Sequence, residues 1–318
     1  MTAGRASDDL GALSAASRMT GLLGMTLAEY EEGKHWARLG EMLLDRMDLR
    51  GSTQEAKILN PLGAIQASTG ELEAALASFG GALEIWEAQI GRNNPSAATA
   101  LGNLAVVHMM LDDLDQAIAA QERALAVREA TLGRIHPDVA HSLFNLGLAV
   151  EQDGDRARAL ELYARALELR ETIHGPEHPE VAAIVYAIGL CHEKAEQLEP
   201  ARTHFERALA LTRASLPPEH PEHIDALTAL ARVELELGLV EQAAPRFEQL
   251  LAHASGEQVD KLGGRRVGDI QAGAAKIALE RGELEQAREL ASLAHASYEA
   301  AESRGRIEEL DAWLAKLP

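Results

Sequence analysis

The sequence predicts an all-α chain, a right-handed α-solenoid of helix-turn-helix repeats with a C-terminal capping helix, and three observations predict it. One mark recurs: Gly70, Asp112, Gly154, Glu196 and Gly238 follow one another at intervals of 42 residues, and Gly282 comes after 44. A period of that length, sustained through most of 318 residues, belongs to stacked units too small to bury their own apolar faces. Small residues keep register with the mark. Ala75, Ala117, Ala159, Ala201, Ala243 and Ala287 lie five positions after it, and Gly63, Ala105, Gly147, Gly189, Ala231 and Ala275 lie seven before it. Two helices joined at the mark would approach most closely at these two columns. Finally, Pro95, Pro137, Pro179 and Pro221 open successive units at the same interval. Proline suits the first turn of a helix, where its missing N–H has no intrahelical partner to lose.

Taken in order, residues 1–10 are polar without a sustained pattern and are expected to be disordered. Residues 11–56 read as a degenerate first helix pair. Leu13, Leu22, Leu23, Met25 and Leu27 mark a helix running to Glu32, and Trp36, Leu39, Leu43, Leu44 and Met47 mark its partner after a turn at Gly33. From such a turn the spacing to the next mark is shorter than 42. The first helix carries little charge between Ala12 and Leu23, which points to a lost neighbour or a covering segment, and so to a piece of a longer polypeptide.

Residues 57–252 read as five regular repeats of 42 residues. Asp138, Glu180 and Glu222 follow their prolines and put negative charge where the helix dipole is positive. Gly91, Gly133 and Gly175 are placed to end the preceding helices, while Pro217 stands in the fourth such place. Leu62, Leu104, Leu146, Ile188 and Leu230 precede the second small column and supply core volume. Residues 253–305 contain Gly256, Gly263, Gly264 and Gly268 with Arg265 and Arg266, an irregular connection before a final hairpin around Gly282. In residues 306–318, Ile307, Leu310, Trp313, Leu314 and Leu317 share one helical face, the pattern of a helix laid over the last repeat.

Composition narrows the function. Fifty acidic against thirty basic residues leave a net charge of -20, and no Lys/Arg cluster offsets it, so neither nucleic acid nor an anionic membrane is an expected partner. No stretch approaches the length of apolar sequence that a membrane span needs. A single cysteine, Cys191, makes no internal disulfide and reads as packed in its helix; with no basic-then-apolar leader, the expected compartment is the cytoplasm.

The twelve histidines give no metal or cofactor expectation. His136, His178 and His220 stand one repeat apart, so they are spread along the stack and belong to its loops. His220 and His223 form only a pair. His108 and His192 take a place usual for an aromatic and read as core or interhelix residues. The run His192-Glu193-Lys194-Ala195-Glu196 lacks the second histidine of a zinc-protease helix. The turn Asp112-Asp113-Leu114-Asp115 lacks the spacing and glycine of a calcium loop and reads as a solvated bend. No acid, base, nucleophile or metal set converges, so the chain is expected not to be an enzyme.

The small, large, small pattern over two helices resembles the tetratricopeptide repeat (TPR). The cassette Leu132-Gly133-Arg134-Ile135-His136-Pro137-Asp138-Val139-Ala140 and its echo Gly175-Pro176-Glu177-His178-Pro179-Glu180-Val181-Ala182 resemble the kinesin light chain class of that family. The likeness covers about residues 57–252 strongly. Arrays ending in a Trp-Leu pair such as Trp313-Leu314 are also similar to C-terminal tails of bacterial serine/threonine kinases, although the chain holds no kinase motif.

The resemblance implies partner binding on a concave face built from first helices, at positions ten, six, three and two before each mark. These are Gly102, Val106, Met109 and Met110; Phe144, Leu148, Glu151 and Gln152; Tyr186, Leu190, Glu193 and Lys194; and Thr228, Arg232, Leu235 and Glu236. Asn103 and Asn145, beside Gly102 and Phe144, correspond to asparagines that hold a peptide backbone in kinesin light chains, and Ala187 and Ala229 interrupt that ladder. The peptide-binding candidates are therefore Asn103, Val106, Met109, Met110, Phe144, Asn145, Leu148, Gln152, Tyr186, Leu190 and Arg232, with Phe144 and Tyr186 expected to face the groove. The places used by carboxylate-clamp members hold mostly apolar residues here. The leading expectation is a non-catalytic protein-protein interaction scaffold for a peptide or helical segment. A regulatory or sensor tail of a signalling enzyme is the alternative, and self-association through the end helices is a third.

Overall fold

The computed structural model describes residues 3–254 and 262–315, and every regular element in them is helical. The chain divides into two units, residues 1–169 and 170–318.

The first unit opens with α1 (Ala3–Gly21), a π-helical turn (Leu22–Thr26) and α2 (Tyr30–Met47). Helix α1 therefore begins inside the segment expected to be disordered. The polar residues of its start hid a helix that packs against α2 and the next hairpin, and Arg46 of α2 pairs with Asp9. The turn is at Ala28, which adopts a left-handed φ of 55°, and not at Gly33. Ala28 stands 42 residues before Gly70, so the first hairpin keeps the full period and the shorter spacing is corrected. Gly33 lies inside α2 at the small position five after the mark. A Cβ there would meet Ile65 Cδ1 at 2.7 Å and the Gly24 backbone at 3.2 Å, so the glycine serves a close helix approach and not a bend.

Three further hairpin elements follow with a common logic: α3 (Thr53–Ser68) with α4 (Leu72–Gln89), α5 (Pro95–Met110) with α6 (Leu114–Leu132), and α7 (Pro137–Gln152) leading to α8 (Arg156–His174), within which the first unit ends. The first regular repeat thus starts at Thr53, four residues ahead of the expected boundary. In the second unit α9 (Pro179–Lys194) pairs with α10 (Leu198–Ser215), α11 (Pro221–Glu236) with α12 (Val240–His253), and α13 (Gly264–Glu280) with α14 (Leu284–Ala300), before α15 (Arg304–Leu314). Gly256 and Leu317 lie outside the described residues.

The turn marks share one backbone state. Gly70, Asp112, Gly154, Glu196, Gly238 and Gly282 all have positive φ, from 56° at Glu196 to 99° at Gly154. Holding Asp112 and Glu196 there costs about 1 kcal/mol each, which the packed hairpin offsets. Asn94, His136, His178 and His220 cap the helices that their following prolines open. Asn94 Oδ1 accepts from Ala97 N at 2.9 Å, and the three histidine Nδ1 atoms accept from Asp138 N, Glu180 N and Glu222 N at 3.1, 3.2 and 3.3 Å. A side-chain acceptor satisfies one of the orphan donors of a helix start.

Packing follows the small columns. All six alanines five after the mark are fully buried. The column seven before it is explained by another that the sequence reading passed over: Phe79, Tyr163, Phe205 and Phe247 stand nine after their marks and are buried. A Cβ on Gly63, Gly147 or Gly189 would approach the rings of Phe79, Tyr163 and Phe205 to 2.9, 2.5 and 2.6 Å. Phe247, opposite Ala231, instead turns to Gly273 of the following hairpin. On the second helices, Arg123 pairs with Glu87, Arg165 with Glu129 at 3.1 Å and Arg207 with Glu171 at 2.5 Å, the same two positions one repeat apart each time. In α15, Leu310 is buried, and Ile307, Trp313 and Leu314 pack on the cluster of Ala275, Ala291, Ala294 and Tyr298. That helix covers the last hairpin.

Candidate functional site

In the first unit the candidates lie on α5 and α7. Val106 and Met110 are 44% and 54% exposed, large apolar side chains left in water. Asn103 donates to Asn60 Oδ1 of α3 at 3.2 Å, tying one first helix to the one before it. Asn145 meets His141 of its own helix at 3.0 Å. Gln152 donates to Asp112 Oδ1 at 3.3 Å. Met109 and Leu148 are half-buried. Phe144 does not stand free in the groove as expected: it is half-buried and rests on Tyr163, ring centroids 5.7 Å apart, because the ring nine after the mark reaches back to it.

In the second unit Tyr186 repeats this arrangement on Phe205 at 5.5 Å and is likewise half-buried. Burial pushes its phenol pKa up to about 12, with Asp225 adding to the shift, so the hydroxyl stays a donor at neutral pH. Leu190 packs on the same core cluster as Phe205. Tyr186, Leu190 and Arg232 line a cavity of about 930 Å³ together with Glu193, Lys194, Thr228 and Glu236, and its wall also holds residues outside the expected binding face: Asp225, Arg265, Arg266, Asp269, Lys276, Arg306 and Glu309. A second cavity of about 290 Å³ shares Thr228, Arg232, Asp269 and Lys276 with it and adds Leu235, Phe247, Leu310 and Trp313.

Most of the charge in this wall is internally paired. Arg232 donates Nε and Nη2 to the two oxygens of Glu193 at 2.6 and 2.7 Å. Burial disfavours its charge, but that two-bond clasp more than offsets the burial and holds the guanidinium above its usual pKa. Arg266 makes the same clasp with Asp225 at 2.7 and 2.8 Å. Arg306 lies 3.2 Å from Asp269 and donates to Glu309 at 2.8 Å, and Tyr298 Oη donates to Asp269 at 2.9 Å. Glu236 has its pKa raised by burial and by the nearby Glu193.

The signal for the missed residues was present. Asp225 and Asp269 each stand thirteen before their marks, and Lys276 stands six before Gly282, in the column of Val106, Leu148, Leu190 and Arg232. Carrying the frame one repeat further reaches them. The histidines serve as caps or local partners, His108 with Asp113 at 3.2 Å and His192 with Gln197 at 2.7 Å. Among the described residues no three His, Cys, Asp or Glu are placed to hold a metal ion. Cys191 is buried. No described helix is long and apolar enough to cross a membrane.

Helical hairpins of fixed length, packed through small residues and leaving a face of first-helix side chains, define a helical-repeat protein. The chain belongs to the tetratricopeptide repeat family: models of that repeat match residues 54–130, 96–172, 138–214 and 182–255, and a second such model matches 228–302. Among solved structures it is similar to the apo form of RapI, at 14% identity and a TM-score of 0.64, covering 91% of this chain and 96% of that one. It is similar to a Podosopora anserina protein of kinesin light chain type with nearly identical TPR-like repeats, at 22% identity, TM-score 0.55, covering 63% and 96%. BtubC (BKLC) from P. vanneervenii matches at 18% identity, TM-score 0.57, covering 77% and 90%. At these identities the likeness is one of fold, and none of the three bears on the resemblance to kinase tails. Comparison with curated proteins gives no match.

Proposed function

We propose that this chain is a non-catalytic interaction module that holds a peptide or helical segment of a partner protein on the first-helix faces of its repeats. The observation that carries this is the column six before the mark. Val106, Leu148 and Leu190 are partly or openly accessible although large and apolar, and Arg232 and Lys276 continue the same column at the wall of the second unit's cavity. Within each unit, accessible side chains at one register position of successive first helices suit a segment laid across those helices. Methionines such as Met110 adapt to the shape of what they meet. The family's general use in protein interaction supports the reading.

The experiment is selection from a random-peptide display library on the full chain. Peptides enriched by the wild type are expected to lose binding to V106D/M110D, whose positions are exposed and whose helicity is expected to be unchanged, or to Tyr186→Ala. Enriched peptides that bind all three proteins equally would remove the first-helix faces from the account.

A further inference from the structure

Helix α1 and the start of the π-helical turn present one seam to solvent. Asp8, Gly11, Ala15, Arg18 and Leu22 follow one another at spacings of three and four residues, so they share one face of the helix, and all five are exposed. A Cβ on Gly11 would meet nothing within 4 Å. Beside the seam Ser14 is exposed as well, whereas Ala56, Ala98, Ala140 and Ala182, at the same register in the following first helices, are buried. The stretch also differs in charge from the rest of the chain. From Gly11 to Ala28 the one charged residue is Arg18, in a sequence that is 25% charged and has a net charge of -20. Asp9 is engaged by Arg46, but neither Asp8 nor Arg18 has a hydrogen-bond or ion-pair partner among the described residues.

We infer that this seam is a contact between two copies of the chain, in which the two α1 helices pack antiparallel about a two-fold axis at the level of Leu13. Asp8 stands five residues before Leu13 and Arg18 five after it, about 7.5 Å along the helix axis on either side. A two-fold that reverses one helix against the other brings Asp8 of each copy level with Arg18 of the other, and so makes the same ion pair twice. It also sets Gly11 against Ala15, both small enough for the two backbones to approach closely. Parallel helices would instead set Asp8 against Asp8 and Arg18 against Arg18. The charge balance therefore selects both the occupant and its direction: copies of net charge -20 repel across most of their surfaces, and a seam carrying one acid and one base is self-complementary. One helix pair is smaller than a standard interface of about 1,600 Å², so the association is weak and reversible. It does not depend on the peptide-binding reading.

Sedimentation equilibrium of the full chain between about 5 and 500 µM tests this. The wild type is expected to shift from monomer toward dimer as its concentration rises. Asp8→Arg and Arg18→Asp should each weaken self-association by at least about tenfold, because each sets like charges together twice. Mixing the two variants should restore association to within about threefold of the wild type, since every charged contact of the mixed dimer then joins opposite signs. Ala15→Arg, a good helix former at an exposed site, should weaken association as strongly while helicity and melting stay unchanged. A chain that is monomeric at every concentration, association that all three substitutions leave unchanged, or a mixture no tighter than either variant alone would overturn the inference.

Discussion

Gln121 offers the sharpest test of how the hairpins pack. It stands nine after the mark at Asp112, where other repeats place Phe79, Tyr163, Phe205 and Phe247. It is fully buried, and neither its amide oxygen nor its amide nitrogen has a hydrogen-bond partner among the described residues. An unmet buried amide costs about 1–3 kcal/mol. Methionine has similar length and helix propensity and no polar group to satisfy. Gln121→Met should therefore stabilise the chain by about 1–2 kcal/mol, raising the melting temperature of the transition that includes α5 and α6 by about 2–4 °C per kcal/mol. Repeat arrays depart from two-state melting, so urea unfolding with an unchanged slope is the better readout. Phenylalanine should behave oppositely. Where an aromatic occupies this column beside Phe79, Tyr163 or Phe205, the opposing residue is glycine, whereas Gln121 faces Ala105. Gln121→Phe should cost about 1–3 kcal/mol by overpacking, and adding Ala105→Gly should recover part of it. A Gln121→Met protein less stable than wild type would show that the amide is satisfied and refute the reasoning.

Further perturbations probe the other columns. Ala159→Leu should destabilise by about 1–3 kcal/mol, read by urea unfolding, because its position between the helices is fully buried. Gly147→Ala should destabilise as well, since its Cβ would lie 2.5 Å from the Tyr163 ring; Tyr163→Leu in the same chain should soften the loss. Arg246→Met should cost about 3–5 kcal/mol, because Glu234 is fully buried and Arg246 holds both its oxygens at 2.7 and 3.0 Å; Glu234→Met added to it should restore stability. Tyr186 sets a pH window. Its folded pKa of about 12 lies above the ordinary tyrosine value of 10.0, so its contribution is complete below pH 10 and is lost as pH rises from 10 through 12; Tyr186→Phe should flatten that part of an alkaline stability curve.

How far the sequence reached depended on whether a feature repeats. The period, the two small columns and the opening prolines can be read without knowing any contact, because a stack presents every unit with the same neighbours and so asks the same residue types of each. The first turn escaped because Ala28 adopts a backbone state that glycine would advertise, while Gly33 advertised a turn and instead met Gly24 and Ile65 at close range. Phe144 and Tyr186 are half-buried for a related reason: their environment is set by Tyr163 and Phe205, across the hairpin, and a first-helix frame contains no second-helix residue. The charged cavity was the most hidden. Arg232 stands on the inner column as a binding candidate, yet Glu193, thirty-nine residues earlier, takes its Nε–Nη2 edge. Lys276 was out of view because the last interval stretches to 44 residues behind a glycine-rich run. Two cations at the same register position thus differ in what they can offer a ligand, and only the position of a carboxylate one repeat away decides which is already paired.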